Sequence, residues 1–294
     1  MNSQNGSDGM ERRGWRWLSV MAVALVVGVG CADTAVADND QDPVEQQDQN
    51  NGEEETNGEE PEGVEPWDCD PDLALSYEGY ESVEGMEGED LFQGLRAEVI
   101  GHNGRGYNAA RTFMFEQLEP NDEGLLECVY TDDLAEPDGT NLPSGVFNTE
   151  HVWPQSRGAD TEPERSDMHH LFPVEIDANN RRANYEFGYV GCDGASCDWG
   201  RDGSYLGPSA DDDRDPVFEV QPDRRGDIAR AVLYFSLRYD EGLSSGEEAA
   251  LRAWHCEDPP DDYERARNDA IEGFQSNRNP FIDRPDFVDR IDQF

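Results

Sequence analysis

The 294-residue chain contains no lysine: all 22 of its basic residues are arginine, and they face 67 acidic residues for a net charge of −45. A protein that coats nucleic acid through a broad basic face is excluded, because such binding rests on clustered cations. Any contact with a polyanion must be local and helped by a bound cation. Apolar residues are also scarce, at 35%, low for a globular chain. Six Trp, ten Tyr and twelve Phe still suffice for a core, which excludes full disorder. No apolar run is long enough to cross a membrane comfortably, which takes about 20 residues; the best, Trp17 to Val29, has thirteen with Ser19 inside it. The six cysteines show no C-x-x-C spacing, which argues against a zinc ribbon. H-E-x-x-H is absent, which argues against a zincin helix, and the acidic stretch at 32–66 lacks a D-x-[DN]-x-[DN]-G loop ending in Glu, which argues against an EF-hand there.

What is present begins with a leader. Arg12, Arg13 and Arg16 precede the short apolar run, and Gly30-Cys31 follows it. That is the layout of a secretory signal peptide, and a small residue before Cys31 resembles a bacterial lipoprotein cleavage site. Residues 1–31 are therefore expected to be a signal peptide of possible lipoprotein type, and membrane association is expected only through a lipid on Cys31. The alternative is a plain signal peptide cut near Ala32 or Ala37. Residues 32–66 are a low-complexity acidic stretch, unable to offset chain entropy by burial, and read as a disordered tether. From residue 67 onward 52 acids face 19 arginines, a net charge of −33. Such a surface suits salty surroundings, where repulsion is screened over a few ångströms.

Residues 67–294 are read as one domain. Export permits disulfides. Cys192 and Cys197 sit in a Gly-rich segment that can close a tight loop, while Cys69 could pair with Cys128 or Cys256. Leu91, Leu95 and Val99 mark one helical face in 88–100. Further helices are expected over 108–118, 227–239, 247–254 and 261–274, and 176–185 is helix-compatible. The 227–239 helix would be capped by Asp227 and bury Ile228, Val232, Phe235 and Tyr239. Short strands are expected at 125–130 and 146–153. Segments 132–144, 156–165 and 188–217 read as loops, 167–173 as a transition, and 277–280 as a turn near the domain edge. The fold class is α+β, mostly helical around a small strand region.

The chemistry concentrates in three runs: Asn148-Thr149-Glu150-His151-Val152-Trp153-Pro154, Ser166-Asp167-Met168-His169-His170-Leu171-Phe172-Pro173, and Asn179-Asn180-Arg181-Arg182-Ala183-Asn184-Tyr185. On an extended backbone Glu150 and His151 point to opposite faces, so one can serve a metal and the other a water. Asn179 and Asn184 are five apart on the expected helix, so only one can point straight at a site on the strand. Glu and Asn oxygens, completed by waters and a phosphate oxygen, suit Mg2+. A neutral His can take a proton from water, and Arg181 or Arg182 could neutralise a phosphate. Arg157, Arg165, Arg181, Arg182 and Arg201 would form a local positive window. Taken alone, His151 would more often be a structural or surface residue, as would Trp153 and Phe172 in a core.

Together these runs, with the 228–239 helix and the QSNRNPFID run at 275–283, resemble the bacterial endonuclease I family of ββα-metal (His-Me finger) nucleases. The resemblance covers most of 80–290. It implies a ββα-metal core, with Glu150-His151 on a strand and Asn179 on a helix. His151 would be the general base, and Glu150 and Asn179 would hold one Mg2+, with Mn2+ or Ca2+ as substitutes. An arginine would steady the pentacovalent phosphorus; Arg157 and Arg182 are the candidates, since the Cys-containing insertion that carries it in some members is missing. His169, His170 and Asn184 would be supporting residues, and Asn277 and Arg278 weak phosphate contacts. The implied activity is exported, largely non-specific hydrolysis of DNA, with RNA as a further substrate, leaving 5′-phosphate ends; no protein partner is implied. Two rivals are an inactive acidic surface lipoprotein that binds calcium or a partner, and a zinc hydrolase using His151, His169 and His170.

Overall fold

A computed structural model describes Cys69 and residues 79–138, 145–211 and 215–294. The expected signal peptide, Cys31 and the acidic tether lie outside the described residues.

The first elements are helical. α1 (Gly88–Val99) buries Leu91, Leu95 and Val99, the face that the spacing indicates. α2 (Tyr107–Phe113) widens into a π turn over Met114–Leu118 that buries Met114 and Phe115. β1 (Leu126–Glu127) and β2 (Leu134–Ala135) then pair antiparallel, so the stretch expected to be a loop at 132–144 contains a short strand.

β3 (Phe147–His151) and β4 (Leu171–Glu175) form an antiparallel two-stranded ribbon, with Glu150 opposite Phe172 and His151 opposite Leu171. β4 corrects the reading of 167–173 as a transition. Its residues Leu171 to Val174 are buried on both faces, so no apolar–polar alternation betrays it. α3 (Ile176–Arg182) follows directly, its N-terminus capped by the Glu175 side chain, which accepts from the Ala178 N–H at 2.9 Å.

Segment 188–217, expected to be irregular, forms most of a second small sheet. β5 (Trp199–Arg201), β6 (Ser204–Pro208) and β7 (Pro216–Glu219) pair antiparallel in chain order. Trp199, Phe218 and Phe187 give it an aromatic face. The expected Cys192–Cys197 disulfide staples its approach. Cys69 pairs with Cys256, and Cys128 is free and buried.

α4 (Arg225–Tyr239) is the spine of the domain. Every residue from Gly226 to Arg238 is buried, so a single apolar stripe understates it. Asp227 does not cap α4: it lies in the first turn and accepts from Arg224 at 3.0 Å. A Cβ on Gly226 would lie 1.8 Å from the Asp258 carbonyl, so only glycine allows this approach to the end of α5 (Ser245–Glu257). α6 (Asp262–Gln275), α7 (Pro280–Asp283) and α8 (Phe287–Arg290) complete the chain. The 277–280 turn is interior, with Asn277 and Asn279 buried. The described residues form an α+β fold with eight helices and three small antiparallel sheets.

Candidate active site

The end of β3, the 154–156 segment after it, and the end of α3 border a cavity of about 370 Å3 lined by Thr149, Glu150, His151, Pro154, Gln155, Ser156, Asn179, Ala183 and Asn184. Glu150 and His151 both line it, contrary to the opposite-face expectation. Two-stranded ribbons twist strongly, and at the last residue of β3 the cavity wraps around the strand end. Asn184 lines it as well as Asn179: Ala183 takes φ +49°, ending α3 and returning the chain to the rim, where the Asn184 amide lies 3.4 Å from Ser156 Oγ.

His151 is held in one tautomer. Its Nε2 is 3.1 Å from the Arg165 carbonyl oxygen, which can only accept, so Nε2 carries the hydrogen. Nδ1 is left with the lone pair, to which the Gln155 amide donates at 3.2 Å. Burial, and secondarily the neighbouring His170, lowers the His151 pKa to about 3, so the ring is neutral near pH 7.

Glu150 is buried. Its Oε1 accepts from the Tyr130 hydroxyl at 2.7 Å and sits 3.4 Å from Arg182 Nε. Oε2 makes no hydrogen bond to a described residue. Burial raises its pKa, while Arg182 and the Tyr130 hydrogen bond work against that rise. The Asn179 Nδ2 donates to Asn148 Oδ1 at 2.7 Å and approaches the Thr149 carbonyl at 3.4 Å. Since that carbonyl can only accept, the amide nitrogen is fixed toward it and Oδ1 is left without a hydrogen bond to a described residue. One bare carboxylate oxygen and one bare amide oxygen thus border the same cavity, a donor set that fits a hard, partly hydrated divalent cation.

The two candidate arginines point elsewhere. Arg182 is buried over the Phe187 ring, donates to the carbonyls of Val152 and Ala183, and turns its Nε to Glu150. Arg157 pairs with Glu247 at 3.1 Å and lies over the Trp153 ring. Neither lines the cavity, because each is absorbed by an internal carboxylate. Arg181 and Arg201 are likewise paired, with Asp177 and with Asp133, so the expected positive window reduces to Arg165. Arg278 is held by Asp269, Glu272 and Asp283, away from the cavity.

His169 and His170 sit behind the site. Asp167 accepts from Tyr234, Arg238 and Tyr239 on Oδ2, and from Gln275 and the His169 N–H on Oδ1. The His169 Nε2 donates to the Asn277 carbonyl and that of His170 to the Glu164 carbonyl. Burial lowers their pKa values to about 3 and about 4. The His170 ring meets the His151 ring edge-on at 5.4 Å. This cluster fixes the 164–170 segment whose Arg165 carbonyl orients His151. The three histidines do not converge on one point, as the zinc reading requires. Among the described residues, the one Cys/His/Asp/Glu group close enough to share an ion is Cys69, Cys256 and Asp289, and both sulfurs are in a disulfide.

Sequence reasoning missed Tyr130, Asn148 and Gln155. Gln155, four residues after His151, was the one with a local signal. Tyr130 and Asn148 are known only from the pairing of chain segments.

A neutral imidazole with its lone pair facing a cavity, beside two oxygens suited to a cation, can remove a proton from water and direct it at a charged ester. That is the chemistry of a phosphodiester hydrolase. Residues 106–286 match the family model of Endonuclease I, and the chain belongs to the endonuclease I family; it is a nuclease. It is 31% identical over 233 residues to an extracellular ribonuclease of Bacillus subtilis (strain 168), covering 72% of this chain and 77% of the relative. An extracellular deoxyribonuclease of Aeromonas hydrophila is 36% identical over 121 residues, 40% of this chain and 49% of the relative. A periplasmic deoxyribonuclease of the same organism is 33% identical over 131 residues, 44% of this chain and 52% of the relative.

Proposed function

We propose that the chain is an exported endonuclease of low sequence specificity that hydrolyses DNA and RNA to 5′-phosphorylated fragments. The orientation of His151 carries the reading: Nε2 is tied to a carbonyl, so the lone pair on Nδ1 faces the cavity that Glu150 and Asn179 also line. His151 takes the proton of the attacking water. Its low pKa keeps it unprotonated in the resting enzyme. Gln155 holds the ring while the cavity is without substrate and yields Nδ1 to the water. Tyr130 and Arg182 hold Glu150 by one oxygen and leave the other free. Asn148 does the same for Asn179 through its amide nitrogen. Glu150 and Asn179 would hold one Mg2+, with Mn2+ or Ca2+ as substitutes; the bound ion supplies charge neutralisation at the phosphate and at the leaving 3′ oxygen. His169, His170 and Asn184 position rather than react.

Substrate breadth is supported by the relatives, which include both a ribonuclease and deoxyribonucleases, and export by their extracellular and periplasmic names. Attachment through a lipid on Cys31 belongs to the same proposal. Incubating the protein with plasmid DNA and with RNA, in Mg2+ and in EDTA, tests it. The expected result is Mg2+-dependent fragmentation of both, with products that accept label from a polynucleotide kinase only after phosphatase treatment. Inertness on both would leave the acidic binding lipoprotein, and fragments with free 5′ hydroxyls would reverse the assigned scissile bond.

A further inference from the structure

The −33 charge of residues 67–294 raises the question of how a polyanion is held at all. The answer lies in how the arginines are distributed. Fifteen of the described arginines lie within salt-bridge distance of a carboxylate. Arg105, Arg111 and Arg165 have no such partner among the described residues. With acids more than twice as numerous as arginines, three unpaired cations would not be expected to adjoin one another by accident.

Arg111, on α2, and Arg165 flank one ring beside the base, and Arg105 precedes that helix by two residues. The Arg165 and Arg111 guanidiniums lie 4.3 and 5.4 Å from the Tyr107 ring centroid, and that ring is 5.4 Å from the His151 ring. Arg111 Nε donates to Thr149 Oγ1, on the cavity wall, at 3.2 Å. Arg105 lies 5.0 Å from the Phe274 ring, which stacks on Phe113 of α2 at 4.2 Å. Arg105 Nε donates to the Phe274 carbonyl, and Arg165 Nε is buried without a partner. None of the six terminal guanidinium nitrogens makes a hydrogen bond to a described residue. Aromatic rings hold the planes of these cations, and their donor edges remain available.

We infer that Arg105, Arg111 and Arg165 form a strip that binds the phosphodiester backbone of the substrate strand next to the scissile bond. This deepens the nuclease reading and rests on it. The strip grips phosphates rather than bases, which fits low sequence specificity, and it localises positive charge within an otherwise repulsive surface.

The test is binding without chemistry. Fluorescein-labelled 12-nucleotide DNA and RNA are titrated by anisotropy in EDTA across a range of NaCl, for the wild type, for R105Q, for R105Q/R111Q/R165Q and for the paired control R265Q. Each single-strand phosphate contact contributes about −0.7 to the slope of log affinity against log salt. The expected result is a slope shifted by about +0.7 in R105Q and by about +2 in the triple variant, with at least about tenfold weaker binding at low salt for the latter, on DNA and RNA alike. R265Q should match the wild type. Arg105 is exposed, so R105Q reads the strip even if the triple variant fails to fold. A wild type that degrades plasmid with Mg2+ while R105Q keeps the wild-type slope would overturn the strip and leave the nuclease reading standing. A wild type that neither cuts nor binds either strand would sink both.

Discussion

Asp167 and Glu150 are both buried carboxylates facing an arginine, seventeen residues apart in the chain, yet they are satisfied in opposite ways. Asp167 accepts from five donors, spread over both oxygens. Burial pushes its carboxyl up, but Arg238, the two histidines and Gln275 outweigh that and hold it well below the usual carboxylate range. Glu150 is held by one oxygen alone, and burial pushes its carboxyl up. The histidines repeat the contrast. His169 and His170 turn no atom to a cavity, whereas His151 turns its lone pair to one. Residue type does not separate the structural cluster from the reactive one; position does, since His169 and His170 keep an Nδ1 without a partner but buried, whereas His151 lines the cavity.

Three outcomes would sharpen or break that contrast. The largest is Asp167→Asn. Removing one partner of a buried ion pair leaves Arg238 uncompensated and costs about 3–5 kcal/mol. Urea unfolding should show this loss, and the protein that remains folded should keep its divalent-ion requirement. A loss under about 1 kcal/mol would mean the cluster does not hold the fold.

The second is the acid limb of stability. His169, His170 and His255 have folded values of about 3, 4 and 3, below the ordinary 6.5, each lowered chiefly by burial. Between those values and 6.5 the unfolded chain binds more protons, so each contributes stability that is lost as pH falls, at about 1.4 kcal/mol per pH unit. Glu247 and Glu264 are shifted upward by burial, as is Asp258, to about 6. They work in the opposite sense, their stability being present at low pH and lost as pH rises through the folded values. Below about pH 4 these carboxyls are protonated in both states, and the histidines and Asp167 act unopposed. His151, at about 3, loses stability in the same way, so urea midpoints should fall as pH drops below about 6.5, partly offset by the carboxyls, and drop most steeply near pH 3.5. Midpoints still level at pH 3.5 would show that the rings are not held neutral.

The smallest is the salt response of turnover. With −33 on the domain, raising NaCl from about 10 to about 100 mM shortens the Debye length from about 30 to 10 Å and screens repulsion. Screening of the −33 raises the rate on dilute DNA while each arginine–phosphate contact lowers it with salt, so R105Q/R111Q/R165Q should gain more from added NaCl than the wild type does. An identical salt response in the two proteins would mean that the arginines take no part in the encounter.

Much of the site was legible because it is carried by short runs. Glu150, His151 and Asn179 meet around one cavity, and His169, His170 and Asn184 fall beside it. Direction was not legible. Whether Arg182 faces a phosphate or an internal carboxylate depends on the burial of Glu150, which no local pattern reports. Arg111 lies forty residues before the base, and packing of α2 against the 164–166 turn brings it there. Helices with one apolar face, such as α1, were readable from period. β4 was not, because both its faces are buried, and β5 to β7 were hidden by Gly, Asp and Ser, which signal turns. The Cys192–Cys197 pairing followed from loop length, while the choice of Cys256 over Cys128 for Cys69 needed the fold.

The most direct measurement compares His151→Ala and Glu150→Ala in rate and in the Mg2+ concentration that gives half-maximal cleavage. His151→Ala should lower the rate by about 10²–10⁴-fold with the Mg2+ midpoint unchanged. Glu150→Ala should lower the rate and move the midpoint upward. Normal digestion by His151→Ala, or an unmoved midpoint in Glu150→Ala, would contradict the division of labour between base and ion.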